Sequence, residues 1–218
     1  MRDALILGFD TSAAHCAAAL LCGDQCLAAR QEEMTRGQAE RLMPLLEELL
    51  AEASASWRDL ARIGVGIGPG NFTGVRIAVS AARGLALSLK IPAIGVSSLE
   101  AAAHASQGPV LAAIAAPRAR GYFEGYRMAR SIALQTREIA ELPTDWAEPG
   151  LTCIGSAAED AAMQLGATVR PAAFAPAEAI ARIAGERALV AGLRPAPLYL
   201  QPADAAPPSD PPPVILDR

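Results

Sequence analysis

Alternating apolar segments and short polar breaks at the start of the chain predict a sheet that begins with three antiparallel strands. The apolar segments occupy residues 4–10, 14–22 and 26–33, and the break between the last two, CGDQ, suits a hairpin turn. Further apolar segments at 62–68 and 91–98 predict two more strands. Because helical patterns lie between these later strands, the order of elements indicates an α/β fold.

Two long helices are predicted within this part of the chain. Thr35 and Gln38 have the spacing of a capping box before an apolar run that continues to residue 53. The apolar residues of this helix span roughly 160° of a helical wheel, wider than the stripe of about 100° that a helix on one sheet needs. A second surface must therefore cover the excess, and Pro44 is expected to bend the helix. The second helix, at about 73–89, is rich in small residues that let another backbone approach closely.

The pattern then starts again, which predicts a second lobe related to the first. Segments at 109–116, 121–129 and 131–140 repeat the three-strand start, and the chain later forms an amphipathic helix within 176–192. Two related α/β lobes are the simplest interpretation.

We place the boundary between the lobes near residue 107. The predicted units are an N-terminal lobe at 1–107, a degraded C-terminal lobe at 108–194 and a proline-rich tail at 195–218. The tail carries eight of the 17 prolines and has too few apolar residues to fold alone. Both an extended segment on a surface and a disordered segment fit this composition.

Charge and cysteine content narrow the class of protein. The net charge is −4 and the isoelectric point is about 5.3, which argues against binding nucleic acid alone through a broad basic face. The four cysteines form no C-x-x-C pair, and we expect reduced core residues of a cytoplasmic protein. No run of 18 apolar residues occurs, so no membrane span is predicted.

Two loops that follow predicted strands carry the residue types that bind phosphate. The first strand ends in an acid and two hydroxyls, and the fourth leads through a glycine-rich loop into a helix, a junction that offers backbone N–H groups to an anion. The loop lacks the G-K-[ST] of a Walker A motif and the spacing of a Rossmann fingerprint. The candidate nucleotide-binding residues are Asp10, Thr11, Ser12, Gly68, Gly70, Asn71 and Thr73.

No catalytic or metal-binding set is predicted. The two histidines, His15 and His104, stand apart in apolar or alanine-rich sequence, and we expect both to be packed or on the surface. The chain has no G-x-S-x-G elbow and no position that suggests a Cys/His pair.

Several stretches make the chain resemble the TsaB family, a bacterial family needed to form N6-threonylcarbamoyladenosine on tRNA. In order they are ILGFDTSAAHCAAAL, GQAERLMPLLEELLAEA, GIGPGNFTGVRIAVSAARGLALSLKIPAIGVSSLEA and VLAAI. The similarity runs to about residue 130 and returns in PLYLQPADA. It implies an actin-like/Hsp70-like ATPase fold of two duplicated ribonuclease-H-like lobes.

The resemblance also implies a function without catalysis. Family members act as the dimerisation partner and scaffold of the catalytic subunit TsaD, together with the small ATPase TsaE, in a complex that modifies position 37 of tRNA. The family pairs through its first two helices, either with TsaD or with a second copy when alone, and meets tRNA only through the complex. Carried over by position, the interface candidates are Leu42, Met43, Leu46, Leu49, Leu50, Ile77, Ala78, Ala81 and Leu85.

One departure from the family pattern bears on nucleotide use. Where many relatives read I-D-A-R-x-G-E-V-Y, this chain has IAAPRARGY at 114–122 and so lacks the acid. No cofactor is predicted firmly, and weak ATP or ADP binding is left open. Two other functions are also left open, a small ATP-dependent phosphotransferase of the same fold and a metallopeptidase.

Overall fold

The computed structural model describes residues 4–190 and 192–200, and its first five strands form one sheet. They are β1 (Leu5–Asp10), β2 (His15–Cys22), β3 (Gln25–Glu33), β4 (Leu60–Gly66) and β5 (Ala93–Val96). Their order is β3-β2-β1-β4-β5. β1, β2 and β3 are antiparallel, as predicted, while β4 and β5 run parallel to β1.

The next five strands repeat this arrangement in a second sheet. They are β6 (Val110–Ala116), β7 (Arg120–Tyr126), β8 (Gln135–Glu138), β9 (Thr152–Ile154) and β10 (Thr168–Val169). The order β8-β7-β6-β9-β10 matches the first sheet strand for strand. β8 is shorter than the predicted 131–140, because the chain joins β7 only from Gln135 onward.

Helices cover both faces of the first sheet. The helices are α1 (Gln38–Glu52), α2 (Phe72–Leu89), α3 (Ser98–Ala103), α4 (Ala158–Leu165) and α5 (Pro176–Glu186). α1 and α2 pack on the face that carries Leu7 and Phe9, and α5 packs on the opposite face against Ile6. α5 follows the second sheet in the chain, yet it packs on the first sheet. The lobe boundaries of 1–107 and 108–194 stay a prediction.

The start of α1 differs from the predicted capping box. Gly37 occupies the N-cap with φ 90°, and no side chain caps the helix there. The Gln38 amide instead donates to the carbonyl of Met34 at 3.0 Å. The prediction of a capping box was wrong, because the helix begins at Gln38 and the left-handed Gly37, not Thr35, occupies the N-cap. By contrast, a side chain caps α3, where Ser97 accepts from the N–H of Glu100.

Five of the nine interface candidates lie in the core of the protomer. Their exposure is between 0 and 3%, and they pack against the first sheet; they are Leu42, Leu46, Leu49, Leu50 and Ala78. The prediction that these side chains form a surface is wrong, because the sheet together with α2 covers the wide apolar arc of α1. Met43 is 36% exposed, and Ile77, Ala81 and Leu85 are half-buried.

The cysteine prediction holds for two of the four positions. No disulfide joins the four cysteines, all of which lie within the described residues, and Cys16 and Cys153 are buried. Burial raises the pKa of each of these two thiols to about 11, so both are protonated at neutral pH. Cys22 and Cys26 flank the β2–β3 turn and are only half-buried, so placing them in the core was wrong.

The chain after α5 returns to the first sheet. The N–H of Leu198 donates to the carbonyl of Ile67 at 2.8 Å, just beyond β4. The Tyr199 ring lies 5.0 Å from that of Phe72, and its hydroxyl accepts from Arg76 Nε at 2.8 Å. The start of the predicted tail is therefore an extended segment on the surface of the protein, and residues 201–218 lie outside the described residues.

Candidate functional site

A cavity of about 670 Å³ opens between the two sheets, beside the ends of β1 and β4. Four of the seven candidate nucleotide-binding residues line it, namely Asp10, Ser12, Gly70 and Asn71. Thr11, Gly68 and Thr73 are not among the lining residues. The second half of the chain contributes the opposite wall with Ile114, Tyr122, Ser156 and Phe174.

Asp10 lies at the centre of a buried hydrogen-bond cluster. β1 ends at this residue, and its carboxylate is 4% exposed. Oδ2 accepts from Ser12 Oγ at 2.9 Å and pairs with His15 Nε2 at 2.8 Å, while Oδ1 accepts from the backbone N–H of Ser12 at 3.1 Å. The carboxylate therefore has three partners from its own loop and the next strand.

His15 is the site residue that sequence reasoning undervalued. It is 8% exposed and hydrogen-bonded, which confirms the expected packed position, yet it also lines the cavity. The available signal was the short connection between β1 and β2, because an antiparallel hairpin places the first residue of β2 beside the last residues of β1.

The surroundings of His15 favour its charged form. Burial lowers the pKa of the imidazole, but the hydrogen bond to Asp10 and the negative charges of Asp10 and Glu33 raise it, and the net result lies above the ordinary 6.5. An opposite charge in hydrogen-bond contact stabilises the imidazolium more than desolvation disfavours it. His15 is thus the internal hydrogen-bond partner of Asp10 and, when protonated, its counter-charge.

This arrangement predicts a pH-dependent contribution of His15 to stability. Because the pKa is higher in the folded state than in the unfolded state, the contribution is full below pH 6.5 and is lost as the pH rises through the raised value. We expect NMR titration of the His15 ring to give a pKa above 6.5. In Asp10→Asn the same pKa should fall, because burial then acts without its counter-charge.

Urea unfolding at several pH values checks the predicted contribution of His15 to stability. The difference in free energy of unfolding between the natural chain and His15→Gln should shrink as the pH rises through the measured His15 pKa. His104→Gln serves as the control for the other histidine. A His15 pKa at or below 6.5 would contradict the assignment of an ion pair.

The glycine loop is held against the Asp10 loop by direct hydrogen bonds. Thr11 Oγ1 donates to the carbonyl of Gly74 at 2.7 Å, and the N–H of Asn71 donates to the carbonyl of Ser12 at 2.6 Å. Asn71 Oδ1 caps α2 by accepting from the N–H of Gly74 at 2.8 Å. The N–H groups of Asn71 and Gly74, which could bind a phosphate, are thus satisfied inside the protein.

The glycines of this loop are required by the same contact. A Cβ at Gly70 would lie 2.2 Å from the carbonyl oxygen of Ser12, and one at Gly74 would lie 1.9 Å from that of Thr11. Both distances are far shorter than any non-bonded contact. Packing between the two loops therefore explains the glycines at these two positions.

Few charges face the cavity. Among its lining residues Asp10 is the one carboxylate and His15 the one imidazole, and no arginine or lysine is included. Across residues 4–190 and 192–200 there is also no cluster of three or more His, Cys, Asp or Glu side chains with the spacing of a metal site. The cavity therefore offers hydroxyl, amide and apolar groups around the hydrogen-bonded Asp10–His15 pair.

Comparison with known proteins places this geometry in a family. Residues 30–142 match the family model described as TsaD, tRNA N6-adenosine threonylcarbamoyltransferase. The tRNA threonylcarbamoyladenosine biosynthesis protein TsaB of Escherichia coli K12 is 36% identical over 127 residues, which cover 56% of this chain and 54% of that protein. The chain spans about half the length of the curated relatives it matches.

Solved structures confirm the predicted actin-like/Hsp70-like ATPase fold. YeaZ from Pseudomonas aeruginosa superposes with a TM-score of 0.70 and 28% identity, over 84% of this chain and 91% of that chain. The ROK hexokinase from Thermus thermophilus has a TM-score of 0.50 and 13% identity, over 83% of this chain and 97% of that chain. At that identity the hexokinase shows the fold alone.

Proposed function

This chain belongs to the TsaB family and to the wider tRNA N6-adenosine threonylcarbamoyltransferase family whose model it matches, and on that premise we propose that it is a scaffold subunit without catalysis of its own. Its role is the formation of N6-threonylcarbamoyladenosine at position 37 of tRNA. It pairs with a TsaD-like catalytic subunit, works with a TsaE-like ATPase in the cytoplasm, forms a homodimer when alone and meets tRNA only through the complex.

The observation that carries this proposal is the solvent-facing side of α2. Ser80 and Gly84 lie one turn apart on this side, and Leu87 is 78% exposed beside them. A Cβ placed on Gly84 would meet nothing within 4 Å, so the centre of the helix surface is open. Small residues at one turn's spacing let a second helix approach closely, and Leu87 adds exposed apolar area next to them.

The neighbouring helix makes the surface larger and complements its charge. α1 adds Met43, and the half-buried Ile77, Ala81 and Leu85 extend the face on α2. We call these residues, with Ser80, Gly84 and Leu87, the α1/α2 face. α1 exposes glutamates, including Glu40 and Glu47, whereas α2 contains arginines and no acidic residue. A partner that presents the same pair of helices in the opposite order would bring opposite charges together.

α2 has a second property that this proposal explains. Among the described residues it is the one helix long and apolar enough, by length and composition, to cross a membrane. It nevertheless packs on the first sheet through its buried residues, which include Val75, Ala78, Val79 and Ala82. Contact with a partner would account for the apolar content of its outer side.

The cavity supports a subunit that performs no phosphoryl transfer of its own. Phosphoryl transfer needs cationic groups that neutralise charge on the phosphates. In this cavity the Asp10 carboxylate is bound to His15, and the N–H groups of Asn71 and Gly74 are bound internally. These contacts weigh against the ATP-dependent phosphotransferase.

Gly84→Arg tests the proposal because it separates folding from association. The side chain enters open space, and arginine is a better helix former than glycine, so the free energy of unfolding should stay equal or rise by about 0.5–1 kcal/mol. The same side chain prevents close approach of a second helix. We expect gel filtration and co-purification with a TsaD-like subunit to show loss of the complex.

Met163→Arg is the matched control. Met163 is 79% exposed on α4 in the second half of the chain, so this variant adds the same side chain to a helix far from the α1/α2 face. Its complex should persist. If Gly84→Arg retains full association while Met163→Arg behaves in the same way, the α1/α2 face is not the docking surface.

A further inference from the structure

The cavity between the sheets has no role in the scaffold proposal, although it has the size of a ligand site. Its volume of about 670 Å³ lies within the range of about 300–1,000 Å³ that is usual for small-molecule pockets. Its walls come from both sheets and from α3 and α5. A molecule bound there would contact both halves of the chain at once.

The charges around the cavity do not suit a polyphosphate. A nucleoside triphosphate carries several negative charges, which proteins neutralise with arginine, lysine or free backbone N–H groups. No arginine or lysine is among the lining residues, and His15 is already bound to Asp10. An added phosphate chain would therefore lie beside the hydrogen-bonded Asp10–His15 pair, with no arginine or lysine in the lining to receive it.

In the second sheet, the turn between β9 and α4 is bound internally in the same way as the glycine loop between β4 and α2. The N–H of Ala157, which precedes α4, donates to the carbonyl of Ala113 at 3.0 Å. A Cβ on Gly155 would lie 2.3 Å from that same carbonyl oxygen, just as one on Gly70 would meet Ser12. In each of the two strand-to-helix turns that face each other across the cavity, one N–H group, that of Asn71 or that of Ala157, is thus bound by a backbone carbonyl of the protein.

The remaining groups suit an uncharged ligand with a flat ring and hydroxyl groups. Tyr122 and Phe174 provide aromatic surface, and Ile114 and Ile180 provide aliphatic surface. The neutral polar groups are hydroxyls and amides; all but Thr35 already make an internal hydrogen bond, but each keeps further donor or acceptor capacity, and they belong to Ser12, Thr35, Gln38, Asn71, Ser98 and Ser156. Aromatic walls favour a planar heterocycle, and hydroxyls and amides recognise hydroxyl groups without requiring charge.

We infer that this cavity is a binding site for an unphosphorylated nucleoside, with the base between the aromatic and aliphatic walls and the sugar hydroxyls on the serine and amide side chains. A nucleoside combines the flat ring, the hydroxyl groups and the absence of charge that these walls match. The inference does not depend on the scaffold proposal, because the α1/α2 face lies on the outer side of the first sheet and the cavity lies between the two sheets.

Calorimetric titration of the full chain with adenosine, guanosine, cytidine and uridine tests this inference, with ATP, with and without Mg²⁺, as the comparison. We expect at least one nucleoside to saturate the protein. ATP should bind at least about tenfold more weakly than adenosine, a difference of about 1.4 kcal/mol. Failure of all four nucleosides to bind, or ATP binding as tightly as adenosine, would overturn the inference.

Filling the cavity provides the second arm of the test. Ala115 and Ala172 are exposed lining residues from different parts of the chain, so Ala115→Trp and Ala172→Trp each place an indole in the cavity. Either variant that unfolds cooperatively should lose nucleoside binding. Ala133→Trp, at an exposed position outside the lining, is the matched control and should bind as the natural chain does. Unchanged binding in both cavity variants would place the ligand elsewhere and refute the site.

Discussion

Gly74→Ala is expected to lower the free energy of unfolding by about 2 kcal/mol, although alanine is the better helix former. The new methyl group would lie 1.9 Å from the backbone oxygen of Thr11, and hydrogen bonds hold the backbone of both residues in place. Thr11 Oγ1 donates to the carbonyl of Gly74, so moving the loops apart would also weaken that hydrogen bond. Overpacking of this kind costs about 1–3 kcal/mol or more, which exceeds the gain of about 1 kcal/mol in helix propensity.

Gly84→Ala is the control for this prediction, since it makes the same substitution in the same helix. A Cβ at Gly84 meets no atom within 4 Å, so only the helix propensity changes and the protein should gain about 0.5–1 kcal/mol. Urea unfolding of the two variants should therefore give shifts of opposite sign. Equal and small shifts would mean that the Asp10 loop and the glycine loop are not held in close contact.

Local sequence patterns were sufficient to predict most elements of this fold. The apolar segments that became β1, β2 and β3 are bounded by turn residues, and strand pairing between neighbours in the chain needs no information from distant residues. The repeated strand order was predictable for the same reason, since each half carries its own hairpins.

Features that depend on distant contacts were not predictable from these patterns. α5 follows β10 in the chain and packs against β1, where Gly8 leaves room for the backbone of Ala177. His15 gained its role from Asp10 and from the cavity walls, and neither relation is visible in the alanine-rich sequence around it. The resemblance to a family implied the fold, but the internal hydrogen bonds of the glycine loop became visible only in three dimensions.

The wide apolar arc of α1 shows the limit of such patterns most clearly. A helical wheel reports that a side chain is apolar, but it does not distinguish a sheet of the same chain from the surface of another protein. Leu46 and Met43 were both interface candidates, yet Leu46 is fully buried and Met43 is 36% exposed. The difference arises because β2 and α2 flank one side of α1 and leave the other side open.

Substituting lysine at these two positions should therefore have opposite consequences. Leu46→Lys removes a leucine from the core and places a charge there without a partner, and we expect a loss of about 4 kcal/mol or more in the free energy of unfolding. Met43→Lys should change that free energy by less than about 0.5 kcal/mol, because the new ammonium lies in solvent within reach of Glu40 and Glu47 on the same helix. Met43→Lys should instead weaken association with a TsaD-like subunit, measured by co-purification, because it puts a charge on the α1/α2 face. A Leu46→Lys chain that keeps its full stability would contradict the packing of α1 described above. A Met43→Lys chain that keeps full association would remove α1 from the proposed docking surface. Gly84→Arg would then still test α2.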